Sequence, residues 1–332
     1  MRGFTEIVSL FTGRAIGNGG MVSFSDELPM GEGWHELRLR FALSVVIGTG
    51  SGFKSQGTLL YLRNIRFTTD RGEVICNLPG RALYAMNTYK YGAPPVLTAL
   101  ADATATYYVN LVIPFTEVAH LGFMRPEDTI LDTKRYTSCK LEITTGTVAD
   151  MYGTVGTSTV STTLDLEVKR TKGRLPIKAQ PIGYVEYDQV APVDASSQQF
   201  VYLKRSADYA IKRLYVASVT GGTAGVPWSG VLSDAVQNLE YVQDQSGYII
   251  KDRIHNMIQV HNKNFVSLES IITGVVCHDF VEGQSIQEAL ATVGKTLLQY
   301  QWTNQGGVAS GYLVSVALEG FRPISPYGAA GA

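Results

Sequence analysis

The sequence predicts an all-β protein built from two tandem β-sandwich units, and three observations carry that expectation. At 332 residues the chain is long enough for two domains of common size and too long for one undivided β core. Charged residues make up 17% of it, against roughly 25% in an average globular protein, while glycine (34) and tyrosine (18) are abundant. That balance favours strands and turns over surface helices. Finally, one succession of strand, turn, strand and helix signals occurs twice in the same order.

Composition also bounds the function. A net charge of -1 supplies no basic stripe for neutralising phosphates, so sequence-specific nucleic acid is not an expected partner. Cys76, Cys139 and Cys277 are odd in number, lack C-x-x-C spacing and each sit in an apolar run. They read as buried thiols in a reducing compartment, not as a disulfide framework or a zinc knuckle. No secretory leader is visible and no run of about 18 apolar residues could span a bilayer, so a soluble chain folding in the cytoplasm is expected.

At the N-terminus, Phe4, Ile7, Val8 and Phe11 fall at the i, i+3, i+4 and i+7 positions of a helical stripe, with Arg2, Glu6, Ser9 and Arg14 elsewhere. Gly17-Asn18-Gly19-Gly20 follows, so residues 1–20 read as an N-terminal amphipathic helical arm on a flexible hinge. From Trp34 the period changes to two: Leu37, Leu39, Phe41, Leu43 and Val45 mark a half-buried strand. A Gly/Ser loop over 48–57 leads to a strand over 59–69, and Asp70-Arg71-Gly72 turns the chain into a strand over 74–78. Pro79 suits the first turn of a short helix that closes at Gly92. Strands are expected over 107–115, 139–145 and 160–168, with an acidic loop and a helical turn over 120–132.

The polar run Lys169 to Arg174 marks the boundary between units. The expected division is an arm over 1–20, a first unit over 21–174, a second over 175–326 and a flexible tail over 327–332. The second unit offers strands over 182–187, 199–204, 211–219, 239–243 and 248–250. A helix capped by Asp252 follows, with Ile254, Met257, Ile258 and His261 on one face. An alternating run over 271–281, a helix over 285–290 and strands over 297–302 and 312–318 complete it.

Aligned, Ile65 to Ile75 and Leu239 to Ile250 share a strand, an Asp-to-Gly turn and a second strand, each leading into a short helix. Further on, the apolar strands ending at Phe115 and near Phe280 are each followed by a partly helical segment and another strand. Both halves then finish alike: Leu164 to Val168 leads to Arg174-Leu-Pro176-Ile177, and Leu313 to Leu318 leads to Phe321-Arg322-Pro323-Ile324. Three matches in one order indicate a duplication, and units of this size with enough strands for two facing sheets suit a jelly roll.

Two such units, with short interspersed helices, an N-terminal arm and the small-residue tail Gly328 to Ala332, resemble the double jelly-roll major capsid proteins of tailless icosahedral viruses. In size the resemblance is to those of bacterial and archaeal viruses with an internal membrane. It implies a homotrimer forming a pseudo-hexagonal capsomer, lateral capsomer contacts in the virion shell, and minor capsid or vertex proteins as further partners. It also implies that Phe4, Ile7, Val8, Phe11 and Arg14 face a neighbouring capsomer or the membrane beneath.

Little in the sequence suggests catalysis, and no cofactor or metal is expected. Cys277 and His278 are strand neighbours and point to opposite faces. His255 and His261 are six apart, not the i, i+4 spacing of a helical metal pair. Gly48-Thr-Gly50-Ser-Gly52 lacks the Gly-Lys-Ser/Thr ending of a phosphate loop and reads as a hairpin tip. Trp34, Trp228 and Trp302 suit sheet cores and subunit contacts, or else a carbohydrate surface. The competing readings are therefore a carbohydrate-binding or glycoside-active β-sandwich, and a viral minor vertex or receptor-binding protein.

Overall fold

The computed structural model describes residues 4–17, 21–24, 28, 30–49, 51–117, 130–172, 179–184, 198–203, 210–223, 226–247, 249–265, 271–282, 288–292, 294–305 and 312–323. The first part runs β1 (Phe4–Ile16), β2 (Met21–Phe24), β3 (Gly33–Val46), β4 (Ser51–Phe53), α1 (Gly57–Tyr61), β5 (Leu62–Thr69), β6 (Val74–Leu78) and α2 (Gly80–Tyr91). It continues through β7 (Ala105–Pro114), β8 (Leu131–Asp132), β9 (Cys139–Thr145), α3 (Val148–Met151), β10 (Tyr152–Thr154) and β11 (Thr159–Lys172). The second part runs β12 (Ala179–Tyr184), β13 (Gln198–Tyr202), β14 (Ala210–Thr220), β15 (Val231–Leu232), β16 (Gln237–Asp244), β17 (Ile249–Ile254) and α4 (His255–Phe265). It ends with β18 (Val275–Asp279), β19 (Leu290–Ala291), β20 (Leu298–Asn304) and β21 (Tyr312–Pro323).

Each part folds into two principal antiparallel sheets whose strand orders match one for one, and β4 and β10 of the first part form a separate two-stranded sheet. β1-β11-β3-β7 corresponds to β12-β21-β14-β18, and β2-β9-β5-β6 corresponds to β13-β20-β16-β17. Both parts distribute their eight principal strands between the sheets in the same succession, which is the jelly-roll arrangement. The duplication read from turns and strands is thus a duplication of topology. It includes the helices: α2 follows β6 as α4 follows β17.

The cores follow from period-two patterning. Along β3 buried Leu37, Leu39, Phe41, Leu43 and Val45 alternate with more exposed residues, and along β11 Val160, Thr162, Leu164, Leu166 and Val168 are buried opposite them. Trp34, Phe67 and Phe115 close the first interior with ring centroids 5.6 to 6.4 Å apart. In the second, Tyr300 stacks on Trp302 at 5.7 Å. α2 is capped at its end by Gly92, whose positive φ of 76° fits the left-handed helix stop expected there.

Three expectations need correction. The N-terminal helical arm is instead β1, an antiparallel partner of β11 from Phe4 opposite Lys172 to Ile16 opposite Thr162. Register shifts between Ser9 and Phe11 and between Phe11 and Arg14, with Gly13 at positive φ, turn both Leu10 and Phe11 toward the core. Those bulges break strict alternation and imitate helical spacing. Residues 59–61 belong to helix α1, not to the following strand: the Leu59 and Leu60 amides donate back to the Gln56 carbonyl, and Gly57 lies so close to the Met151 backbone that a Cβ would stand 2.6 Å from its carbonyl oxygen. Lastly, β17 runs on to Ile254 and α4 begins at His255, so Asp252 lies within the sheet, paired with Tyr241, and not at the helix start. The buried face of α4 carries His255, Ile258, Gln259 and Asn262, while Ile254 and Met257 face outward.

Several expectations lie outside the described residues: most of the 120–132 loop, 185–187, Lys204, most of the helix placed over 285–290, and the tail 327–332.

Candidate functional site

The most distinctive chemistry lies where the two jelly rolls meet. α2 is buried almost throughout, and its Ala82, Leu83, Ala85, Met86 and Tyr89 share one apolar cluster with Tyr215, Ala217, Cys277 and Ala317 of the second unit. The polar Arg81, Asn87, Thr88 and Lys90 of α2 are buried as well, so the helix is enclosed by protein. Tyr89 meets Tyr215 edge to face at 6.0 Å.

Beside this apolar seam sits a closed set of charges. Lys90 from α2 and Glu117 from the segment after β7 join Lys212 and Arg213 of β14, Asp279 of β18 and Glu319 of β21, all buried. Lys90 Nζ is 2.6 Å from Glu319 Oε1, and Lys212 Nζ is 2.9 Å from the same oxygen while also donating to Glu117. Arg213 donates from Nε to Asp279 at 2.9 Å and from Nη1 to Glu117 at 3.1 Å. Tyr89 donates to Asp279 and Tyr215 to Glu319, each at 2.9 Å.

The three cations balance the three carboxylates. Burial alone would raise the Glu117 carboxyl, but the charges of Arg213, Lys212 and Lys90 outweigh it and hold the group down to about 2. Glu319 is likewise pushed well down, burial being opposed by Lys212, Lys90 and Arg213. A matched buried cluster adds little net stability over apolar packing, yet losing one member strands an uncompensated charge. It therefore fixes how the two units fit.

A second buried network spans the interior of the second jelly roll. Glu240 on β16 accepts from His255 of α4, from His278 Nε2 at 2.9 Å and from Tyr300 OH at 2.6 Å. Tyr300 in turn accepts from Gln237 at 2.7 Å. Burial would lower the His255 imidazole, but its bonds to Asp234 and Glu240 raise it to about 9. Cys277 and His278 do face opposite ways: Cys277 lies in the seam cluster, and His278 packs on Tyr300 at 5.5 Å.

Of the arm residues singled out from sequence, Val8 and Phe11 pack against the first core and Ile7 is 51% exposed. Arg14 lies 5.6 Å from the Phe11 ring centroid, and the Phe4 backbone pairs with Lys172. They share one outer strand, not a separate helix. Trp34, Trp228 and Trp302 are each at most 1% exposed, so they form no aromatic surface for a sugar. Cys76 and Cys139 are buried free thiols, pushed by burial up to about 12. Among the described residues no group of three His, Cys, Asp or Glu could hold a metal ion, and no helix is long and apolar enough to cross a membrane.

Two eight-strand units joined by a buried seam define a double jelly-roll fold. No protein-family model and no curated protein sequence matches the chain. Solved structures match it over nearly its whole length. The major capsid protein of Sulfolobus turreted icosahedral virus is 11% identical with a TM-score of 0.73, covering 99% of this chain and 100% of that one. The major capsid protein of bacteriophage PM2 is 13% identical with a TM-score of 0.64, covering 98% and 100%. The Faustovirus major capsid protein is 9% identical with a TM-score of 0.59, covering 98% and 91%. At these identities the likeness is one of fold.

Proposed function

We propose that the chain is a major capsid protein that associates head to tail with further copies of itself, forming trimeric, pseudo-hexagonal capsomers that tile an icosahedral virion shell. The observation that carries this reading is an inequality between otherwise equivalent surfaces. Residues 211–219 of β14 are buried on both faces, one by the second interior and the other by α2. The equivalent strand β3 is covered on one face only, leaving Arg38, Arg40, Ala42 and Ser44 toward solvent beside Tyr108 at 37% and Val96 at 73% exposure. Conversely α2 is enclosed, while its counterpart α4 shows Met257 and Val260 at 63% and 53% exposure.

One sheet face therefore lacks a helix, and one helix lacks a sheet face. Docking α4 of one copy on the β3 sheet of the next repeats between chains the contact that α2 makes within one. Such a heterologous contact generates a ring when its rotation closes. Lateral capsomer contacts, minor capsid or vertex proteins and an internal membrane are the further partners this reading implies. β1, with Phe4, Ile7, Val8, Phe11 and Arg14, would contribute a sheet edge to them in place of a helical arm. We place the division between the units in 173–178, after β11.

The mass of the purified protein in solution, followed by electron microscopy of assembled particles, tests the proposal. A trimer and a pseudo-hexagonal outline are expected. A monomer that stays monomeric at high concentration and forms no particle would overturn it.

A further inference from the structure

Four Lys or Arg side chains are buried among the described residues: Arg81, Lys90, Lys212 and Arg213. Three of them belong to the charge cluster of the seam and are matched by carboxylates. Arg81, only 3% exposed, has no carboxylate partner among the described residues. Its Nη1 donates to the carbonyls of Trp228 at 3.0 Å and Gly230 at 2.7 Å, and its Nη2 donates to that of Ser55 at 3.1 Å. A guanidinium has five N–H donors, so two are left, and Nε is one of them, buried without a partner. Burial lowers this group to about 10, still protonated at neutral pH.

Arg81 lines a cleft of about 560 Å³ between the first unit and the described residues of 221–231 in the second. A second hollow of about 420 Å³ adjoins it and shares Ser55, Arg81 and Val231. Lys54 and Arg63 stand at the cleft beside a single acid, Asp150, which Arg63 contacts at 3.1 Å. The N-terminus of α2 opens here at Pro79, with no side-chain cap and no acidic residue in its first turn. Uncapped N–H groups and the helix dipole add to the positive potential.

The backbone is also held in costly conformations at this place. Gln56 and Trp228, at φ of 55° and 59°, are the non-glycine residues with left-handed backbone among those described, and both line these hollows. Gln56 Oε1 and Trp228 Nε1 are buried without partners. A left-handed backbone strains a residue that has a Cβ, and strain of this kind gathers at ligand sites. Gly230, at φ of 94°, admits no side chain, because a Cβ would stand 2.5 Å from the Thr220 carbonyl oxygen.

The geometry points to a binding site, in the cleft between the two units, for a small ligand bearing a carboxylate or phosphate group, with Arg81 as its charged anchor and Lys54 and Arg63 at its mouth. Unneutralised buried charge, the open helix end and the excess of cations all favour an oxyanion, and the exposed Phe53 and Val231 offer apolar contact to the rest of the ligand. This site does not depend on the capsid reading.

Calorimetric titration of the full chain with inorganic phosphate and with succinate tests it, using uncharged succinamide as the control. Saturable binding of either anion, with none of succinamide, is expected, and the anion that binds identifies the source of the oxyanion. Arg81→Gln should abolish binding. Because that variant also removes the donor to three carbonyls and could fail to fold, Lys54→Glu at the exposed mouth provides the second readout. It should weaken binding by about tenfold, the loss of one charge-assisted contact. No saturable heat with either anion, or equal affinity in the wild type and Lys54→Glu, would overturn the proposal.

Discussion

The ammonium of Lys90, in the last turn of α2, lies 2.6 Å from the carboxylate of Glu319 on β21, and both side chains are buried. The contact ties the first jelly roll to the second. Around it Glu117, Lys212, Arg213 and Asp279 complete a neutral set, so each member is held by several partners.

Removing one member should therefore cost far more than an exposed ion pair does. Glu319→Ala is expected to destabilise the protein by about 3–5 kcal/mol, since Lys90 and Lys212 both lose an anion. The paired change Lys90→Met with Glu319→Leu should recover a large share of that loss. Denaturant unfolding measures both, and a loss below about 1 kcal/mol for Glu319→Ala would place the pair among solvated surface contacts.

Stability should fall at both ends of the pH scale, for different reasons. The Glu117 carboxyl is lowered from 4.5 to about 2 on folding, so its contribution is complete above 4.5 and is lost as pH falls toward 2. His255 is raised from 6.5 to about 9, so its contribution is complete below 6.5 and is lost as pH rises through 9. The melting temperature should peak between these windows. Glu117→Gln should flatten the acid limb and His255→Asn the alkaline one; a melting temperature independent of pH across both windows would contradict both assignments.

Truncation before Asn18 should damage the first jelly roll itself. β1 covers the edge of β11, and its Val8, Leu10 and Phe11 pack on the first core. Removing it leaves a long strand with unpaired N–H and C=O groups, a template for aggregation. A lower melting temperature and increased light scattering are expected. Unchanged melting would mean that β1 contributes nothing to the fold.

The exposed face of α4 separates folding from association. Met257→Glu and Val260→Glu point into solvent in the single chain and should change its melting temperature little. If α4 docks on the β3 sheet of another copy, both substitutions bury an unpaired charge there and should block trimer formation. Sedimentation velocity distinguishes a shift to monomer from an unaltered trimer, and the latter would rule out this face as the contact.

Much of the architecture was legible in the sequence because period two and turn residues are local signals. The hairpins β5-β6 and β16-β17, their following helices and the closing strands β11 and β21 all stand where the repeat places them. The repeat itself could have exposed the error at the N-terminus. β12, anticipated in the second unit, pairs with β21 as β1 pairs with β11, so a first unit without β1 lacks a strand its twin possesses. The bulges at Phe11 hid this by borrowing helical spacing.

The seam was not legible. Its six charged residues come from five separate places in the chain, and each alone resembles an ordinary surface charge of a strand, helix or loop. One hint was present: Lys212-Arg213 interrupts an otherwise apolar run from Ile211 to Ala217. The Arg81 cleft left still less trace, since an uncompensated cation is recognised only when every neighbour is known.

The closed charge set of the seam has a consequence for assembly under the proposed head-to-tail docking. A chain of identical joints shuts into a ring only when every joint turns through the same angle; a small error at each leaves a spiral that never meets its own start. Half of the joints in such a ring lie inside single chains. By holding the two jelly rolls in one orientation before any copies meet, Lys90, Lys212, Arg213 and their carboxylates would set those angles in advance, leaving only the contacts between chains to be adjusted as the circle completes.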